Sequence, residues 1–259
     1  MINLQKAKQE FKKYVSNYDI ENERIKLKIA HTERTANIAK EIAKHLKLEE
    51  EGVQLAELIG LLHDIGRFEQ VKRYNTFIDK NSVNHGALGA EILFEEGLIQ
   101  NFITDRQYDE IIKKSILNHN KNKKDLEFSN EKEELYSKMI RDADKTDIIY
   151  ALTFEEKEAA WGKADFSNEK MTDEIFREFI EKREIDYQQR KTAVDILVSH
   201  FAYVYDFNYQ YGLQIIKEKN YMKKIYNRFK FEDKETKVRI KQIYEIVEDY
   251  LEKIEGENG

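Results

Sequence analysis

An all-α fold is predicted by three features of the 259-residue sequence. It has no proline and only ten glycines, so little interrupts a helix. Lys, Glu, Ile and Leu, all good or tolerated helix residues, are abundant. Apolar residues recur at intervals of three and four almost throughout. Taken in order, this spacing predicts helices over Asn3–Tyr18, Asn22–Leu46, Glu49–Ile65, Asn84–Glu96, Asp105–Asn118 and Glu131–Lys157. A C-terminal set follows over Thr172–Lys182, Asp186–Lys217, Asn220–Arg228 and Asp233–Ile254. The polar stretches Arg67–Ser82, Lys121–Asn130 and Trp161–Lys170 are predicted to be loops.

One segment carries two periods. Phe201, Tyr203, Tyr205, Phe207, Tyr209 and Tyr211 alternate as a strand would. Ile196, Phe201, Tyr205, Asn208 and Gly212 keep helical spacing as well, and no turn signal separates them from Val194–Ser199. The segment is therefore assigned to helix, with its aromatic rings expected in the core.

Composition removes whole classes of function. A hydrophobic share of 41% supports a sizeable core, and 36% charged residues suit a solvated surface. Absence of cysteine excludes disulfides, zinc ribbons, thiolate clusters and a cysteine nucleophile. Any metal must then be held by His, Asp and Glu. No apolar run is long enough to span a membrane and Met1–Tyr14 lacks a signal-peptide core, so a cytoplasmic protein with no membrane partner is expected. With 44 basic and 50 acidic residues the net charge is −6, which argues against a general electrostatic grip on nucleic acid.

Chemistry concentrates in the first 150 residues. His63-Asp64 closes a segment apolar on most faces, from Leu55 to Leu62, so the pair is expected to be buried. A buried carboxylate is costly unless a cation neutralises it. His63 and Asp64 diverge by about 100° on a helix but can meet at an ion near its end, where Gly66 is expected to let the chain turn away. His31 lies on a stripe with Thr35, Ile38 and Ile42. His85 opens a stripe of Leu88, Gly89 and Ile92, and His119 ends one of Ile112, Ser115 and Ile116. Asp144 stands midway between Ile140 and Ile148. Five segments thus each bring His or Asp to an apolar side, a donor set suited to one or two transition-metal ions.

These residues resemble the signature of the HD-domain metal-dependent phosphohydrolase superfamily, of the bimetallic type. The strings HTERTANIAKEIA, LIGLLHDIGR and MIRDADKTDI carry His31, His63-Asp64 and Asp144 in that superfamily's order and approximate spacing. His85 in NHGALGAEIL and His119 in ILNHN resemble the two additional histidines of its bimetallic members. The resemblance implies that His31, His63, Asp64 and Asp144 hold one ion and that His85 and His119 hold a second, with Asp64 bridging. The implied cofactor is one or two divalent ions, Mn, Fe, Co or Ni, with Mg also admissible. The resemblance spans residues 31–144, and no motif is assigned in the C-terminal part; the expected architecture is an HD helical bundle over 1–158, N-terminal helix included, with a C-terminal helical subdomain, 159–259, packed on it as part of one compact unit. Three departures argue against a cyclic-di-GMP substrate. Gly86 follows His85 where those members have Pro, no GYP element follows His119, and Arg67 replaces the common Lys.

Besides Asp64, three cations are expected to act on a phosphate: Arg34, one turn past His31; Arg67, three residues past Asp64; and Lys145, adjacent to Asp144. His45 sits where a cation favours the helix dipole, and His200 is expected to pack. Lys121, Lys123 and Lys124 form a short basic turn. Asp142 is expected to face solvent, and Asp147 to orient a ligand. The expected function is metal-dependent hydrolysis of a phosphomonoester or phosphodiester on a nucleotide or small phosphorylated metabolite, by attack of a metal-bound hydroxide. The expectations leave room for a homodimer. Two alternatives use the same residues: a di-iron oxygenase cleaving a phosphonate or inositol-like substrate, and a nucleotide-binding regulatory module without turnover.

Overall fold

The computed structural model describes residues 2–158 and 165–254, and every regular element among them is helical. Contacts divide the chain into two units, Met1–Asp147 and Ile148–Gly259. The division falls inside one helix, upstream of the 158/159 boundary suggested by the sequence. Among the described residues no helix is long and apolar enough to cross a membrane.

The first unit contains α1 (Leu4–Val15), α2 (Glu23–His45), α3 (Glu50–Leu62), α4 (Ile65–Tyr74), α5 (His85–Ala90), α6 (Ile99–Phe102), α7 (Asp109–Asn118) and most of α8 (Glu131–Phe154). Asparagine starts three of these helices. The side chains of Asn3, Asn22 and Asn84 accept from Lys6 N, Arg24 N and Ala87 N, satisfying amides that the helix leaves unpaired. The α2–α3 pair is the most extensive packing in the unit. It is close because Gly60 has no side chain: a Cβ there would lie 2.5 Å from Ala36 Cα. Around it Leu55, Leu58, Ile59, Leu62, Ile65 and Phe68 are all but sealed from solvent. A carboxylate, Glu57, is buried in this core. It is 3% exposed, and Lys8 Nζ (2.5 Å) and Lys40 Nζ (3.2 Å) neutralise it.

In the second unit, the end of α8 joins α9 (Asp173–Lys182), α10 (Ala193–Ala202), α11 (Gln210–Glu218), α12 (Tyr221–Asn227) and α13 (Lys234–Glu252). Ile149, Phe179, Val194, Val198, Phe201, Val204, Ile216, Ile243 and Val247 form its core. Asp195 ties its loops together: it closes a capping box with Thr192 and accepts from Thr172 N.

The structure corrects two local expectations. Arg67–Ser82 is not all loop, because Phe68 and Val71 bury one side of α4 while Glu69, Lys72 and Arg73 keep the other in water. Asp186–Lys217 is not one helix: Thr192 caps a new start at α10, a tight turn of helix covers Tyr203–Asp206, and the backbone is extended at Phe207 and Tyr209. The aromatic run thus forms no strand, and its helical period breaks at Phe207. Of the expected loop Trp161–Lys170, residues 161–164 lie outside the described residues.

Two outcomes test this packing. Gly60→Ala should lower stability by about 1–3 kcal/mol, the usual cost of overpacking, seen as a lower urea midpoint. Gly89→Ala, whose methyl would meet nothing nearer than 3.4 Å, should leave the midpoint unchanged or raise it. Equal losses would refute the close-approach argument. In the second unit, burial, reinforced by the Arg190 guanidinium, lowers the His200 pKa to about 3. An unfolded chain takes up that proton near 6.5, so His200 erodes stability as pH falls from 6.5 towards 3 and contributes no slope above that range. His200→Gln should flatten the dependence between pH 7 and 4; an unchanged slope would mean that the native imidazole is already charged.

Candidate metal centre

Five helical segments converge on one buried cluster. His31 projects from the middle of α2, and Asp144 from α8. His63 is the last residue of α3 with helical backbone (φ −56°, ψ −39°); at Asp64 (φ −105°, ψ 17°) the chain breaks into α4. That break brings the two neighbours together, with His63 Nε2 3.6 Å from Asp64 Oδ2. The turn therefore occurs at Asp64, not at Gly66 as expected. Gly66 serves a different need: a Cβ there would lie 2.4 Å from His85 O and 2.6 Å from Gly89 N, so α4 and α5 meet backbone to backbone. His85 opens α5, and His119 directly follows α7.

Asp64 is the hub. Its Oδ2 lies 3.4 Å from His31 Nε2 and 3.6 Å from His63 Nε2. Its Oδ1 lies 3.4 Å from His85 Nε2 and 3.6 Å from His119 Nε2. Two groups able to hold a metal ion result, His31–His63–Asp64 and Asp64–His85–His119, all fully buried. Asp144 stands beside the first, its Oδ1 3.1 Å from His31 Nε2 and 3.7 Å from His63 Nε2. All six residues predicted as ligands are thus brought together.

The hydrogen bonds identify which nitrogen is free. His63 Nδ1 donates to Gly60 O (2.7 Å) and His119 Nδ1 to Ile116 O (2.6 Å), carbonyls left unpaired at the ends of α3 and α7. His31 Nδ1 donates to Asp147 Oδ2 (2.7 Å) and His85 Nδ1 to Asp79 Oδ2 (2.7 Å). Each neutral imidazole then presents an Nε2 lone pair inward. Those atoms face each other at 3.3 Å (His31, His63) and 2.9 Å (His85, His119). Two lone pairs at such distances repel unless a cation sits between them. Asp64 Oδ1, buried, accepts no hydrogen bond. The donor set and its orphaned oxygen fit one or two divalent ions bound through N and O.

Electrostatics agree. Burial and the Arg67 charge lower the His85 pKa to about 3, against the pull of Asp79, so this imidazole is a neutral donor at physiological pH. Burial and Lys28 push His31 down, but the carboxylates of Asp144, Asp147 and Asp64 prevail and raise it to about 10. In the absence of metal a proton fills that position and must leave before His31 can ligate. Burial pushes Asp64 up, yet the charges beside it, Lys28 foremost and then His63, hold it well below the carboxylate range.

Arg34 and Arg67, expected at a phosphate, are engaged behind the ligands. Arg34 grips Asp147 through Nε (2.6 Å) and Nη2 (3.1 Å), so Asp147 orients His31 as its spacing suggested. Arg67 Nη1 donates to Asp79 Oδ1 (2.9 Å) and Phe77 O (2.6 Å), while its Nε lies 3.6 Å from Asp64 Oδ1. Lys145 is buried next to Asp144. Asp142 is buried rather than solvent-facing, because α8 is enclosed on most sides along this stretch. Sequence reasoning missed three residues. Lys28, one turn before His31, donates to Asp64 Oδ2 at 2.6 Å, and its spacing from His31 would have placed it on the same face. Asp79, and Asn120, which donates to it at 3.3 Å, lie outside regular α-helix and carry no periodic signal.

Elemental analysis tests the division of ligands. Asp64→Ala should empty both groups, and His119→Ala only the second. Asp79→Ala should weaken binding at the second group roughly 10–100-fold, the usual effect of losing a carboxylate behind a ligand histidine. Two ions retained in Asp64→Ala would overturn the shared-carboxylate arrangement.

Comparison with known proteins agrees with this geometry. The HD domain family model matches residues 29–149, a span running from two residues before His31 to two residues past Asp147. No curated protein and no solved structure matches the chain. Residues 29–149 are an HD domain, the all-α domain of a superfamily composed mostly of metal-dependent hydrolases.

Proposed function

We propose that this protein is a phosphohydrolase acting on a phosphate ester of a nucleotide or another small metabolite. The observation that carries the reading is the pair of inward-facing histidine couples on the two oxygens of Asp64. His31, His63, Asp64 and Asp144 would hold one ion, and Asp64, His85 and His119 the other. Divalent ions so bound supply an activated water and Lewis acidity towards a phosphoryl oxygen.

The protein's own residues do the rest. Asp147 and Asp79, fixed by Arg34 and Arg67, hold His31 and His85 in the tautomer that exposes Nε2. Arg67 has a second part, because its buried Nε makes no hydrogen bond and is directed near Asp64 Oδ1. A guanidinium so placed favours the extra negative charge that develops on phosphoryl oxygens as the ester breaks.

The test is release of inorganic phosphate by protein loaded with Mn²⁺, Co²⁺, Ni²⁺, Fe²⁺ or Mg²⁺, against a panel of nucleotides and sugar phosphates, with and without oxygen. Turnover independent of oxygen supports the reading; turnover only with iron and oxygen overturns it. At saturating metal, Arg67→Ala should lower kcat by roughly ten- to a hundredfold, as expected for losing one charge-assisted contact worth about 1.5–3 kcal/mol. Unchanged kcat with full metal content would confine Arg67 to supporting Asp79.

A further inference from the structure

Lys28 is a cation inside the metal centre that the donor set does not need. It leaves α2 one turn before His31, and its ammonium lies 2.6 Å from Asp64 Oδ2. That is the same oxygen that faces the first ligand group, 3.4 Å from His31 Nε2 and 3.6 Å from His63 Nε2. The Lys28 side chain is 16% exposed, against 3% for Asp64, so part of the lysine reaches solvent while the carboxylate does not. The Phe77 ring is near it, with Nζ 5.5 Å from the centroid. Arg67 lies 5.7 Å from the same ring, but its Nη1 is anchored to Phe77 O, Gln70 Oε1 and Asp79 Oδ1. Arg34 is bound to Asp147. Of these three side chains, Lys28 alone has an ammonium on a flexible four-carbon stem, able to swing without breaking a fork of hydrogen bonds.

A divalent ion held by His31, His63 and Asp64 needs Oδ2 at about 2.0–2.2 Å. Two cations competing for one oxygen at such range repel strongly, because little water screens them. We propose that Lys28 is an exchangeable cation: it neutralises Asp64 until the ion binds, yields Oδ2 to it, and then swings to the open side, where it contacts the substrate phosphate. This rests on the phosphohydrolase reading above. It adds that the lysine and the metal bind in competition, and that the displaced ammonium recognises the phosphate.

The competition is read by calorimetric titration of wild type, Lys28→Met and Lys28→Gln with Mn²⁺, after stripping with chelator. Both variants should bind the ion at the first group at least tenfold more tightly than wild type. Stripped variants should melt at lower temperature than stripped wild type, because Asp64 then lacks its compensating charge, and saturating Mn²⁺ should narrow that gap. Titration of Mn²⁺-loaded protein with inorganic phosphate reads the second role, and the variants should bind it roughly tenfold more weakly. Absence of metal binding by wild type would overturn the metal centre itself, whatever Lys28 does. Metal binding by wild type with equal or weaker binding by both variants would make Lys28 a fixed support and overturn the exchange. Unaltered phosphate affinity would remove its role at the substrate. Lys28→Gln retains a donor for Oδ2, so it covers the case in which Lys28→Met fails to fold.

Discussion

A carboxylate removed from water must be surrounded by positive charge or hydrogen-bond donors, and Asp64 meets that demand in an unusual way. It is 2% exposed, and four imidazoles turn Nε2 towards it, one of them, His31, keeping a proton there until an ion replaces it. Lone pairs facing a carboxylate are a poor solution for stability, and a good one for binding a cation. The hydrophobic packing of the N-terminal unit therefore holds together groups that repel one another until an ion or a proton arrives. Close contacts at Gly60 and Gly66 are what make that compression attainable, since each lets two backbones approach where a methyl would collide.

The two ligand groups repeat one plan. In each, one histidine is backed by a carboxylate that an arginine secures: Arg34–Asp147–His31 and Arg67–Asp79–His85. In each, the other histidine follows the end of a helix and donates to the carbonyl three residues earlier, Gly60 for His63 and Ile116 for His119. The common plan explains why neither arginine is simply extended towards the open site. It also makes the groups electrostatically unequal. Three carboxylates surround His31 and favour its charged form, whereas burial and Arg67 keep His85 neutral. Protons and metal compete at the first group far more than at the second.

Much of this was legible in the sequence, for identifiable reasons. His31 and Asp144 lie on apolar stripes of long helices and His119 at the end of a shorter one, and a polar residue on such a stripe must be buried. The His63-Asp64 pair was legible because nearly every residue before it is apolar. Asp147 could be inferred from its distance to Asp144 along α8. Asp79 could not, because it lies in the connection between α4 and α5, where position is set by tertiary hydrogen bonds from Arg67 and Gln70 rather than by a period. α4 itself was obscured because its four charged residues equal its four hydrophobic ones in number, although Phe68 packs against Phe11, Tyr14 and Tyr18. The break in the aromatic segment was hidden for the converse reason: rings at every second position satisfy several geometries, and no glycine or proline marks the extended backbone at Phe207 and Tyr209.

The carbonyl support of His63 and His119 has a consequence for how such a protein can vary. A peptide oxygen is the same for nearly every amino acid, so no side-chain replacement at Gly60 or Ile116 deletes the acceptor itself. The genetic target of the support layer is thereby halved. Loss by point substitution concentrates in Asp79, Asp147 and their two arginines, while the other half yields only to changes that deform the ends of α3 and α7, such as an inserted residue or a proline. A lineage drifting at its side chains would retain His63 and His119 in ligating orientation long after the carboxylate-backed pair had lost it, and the centre would decay from one side of each group first.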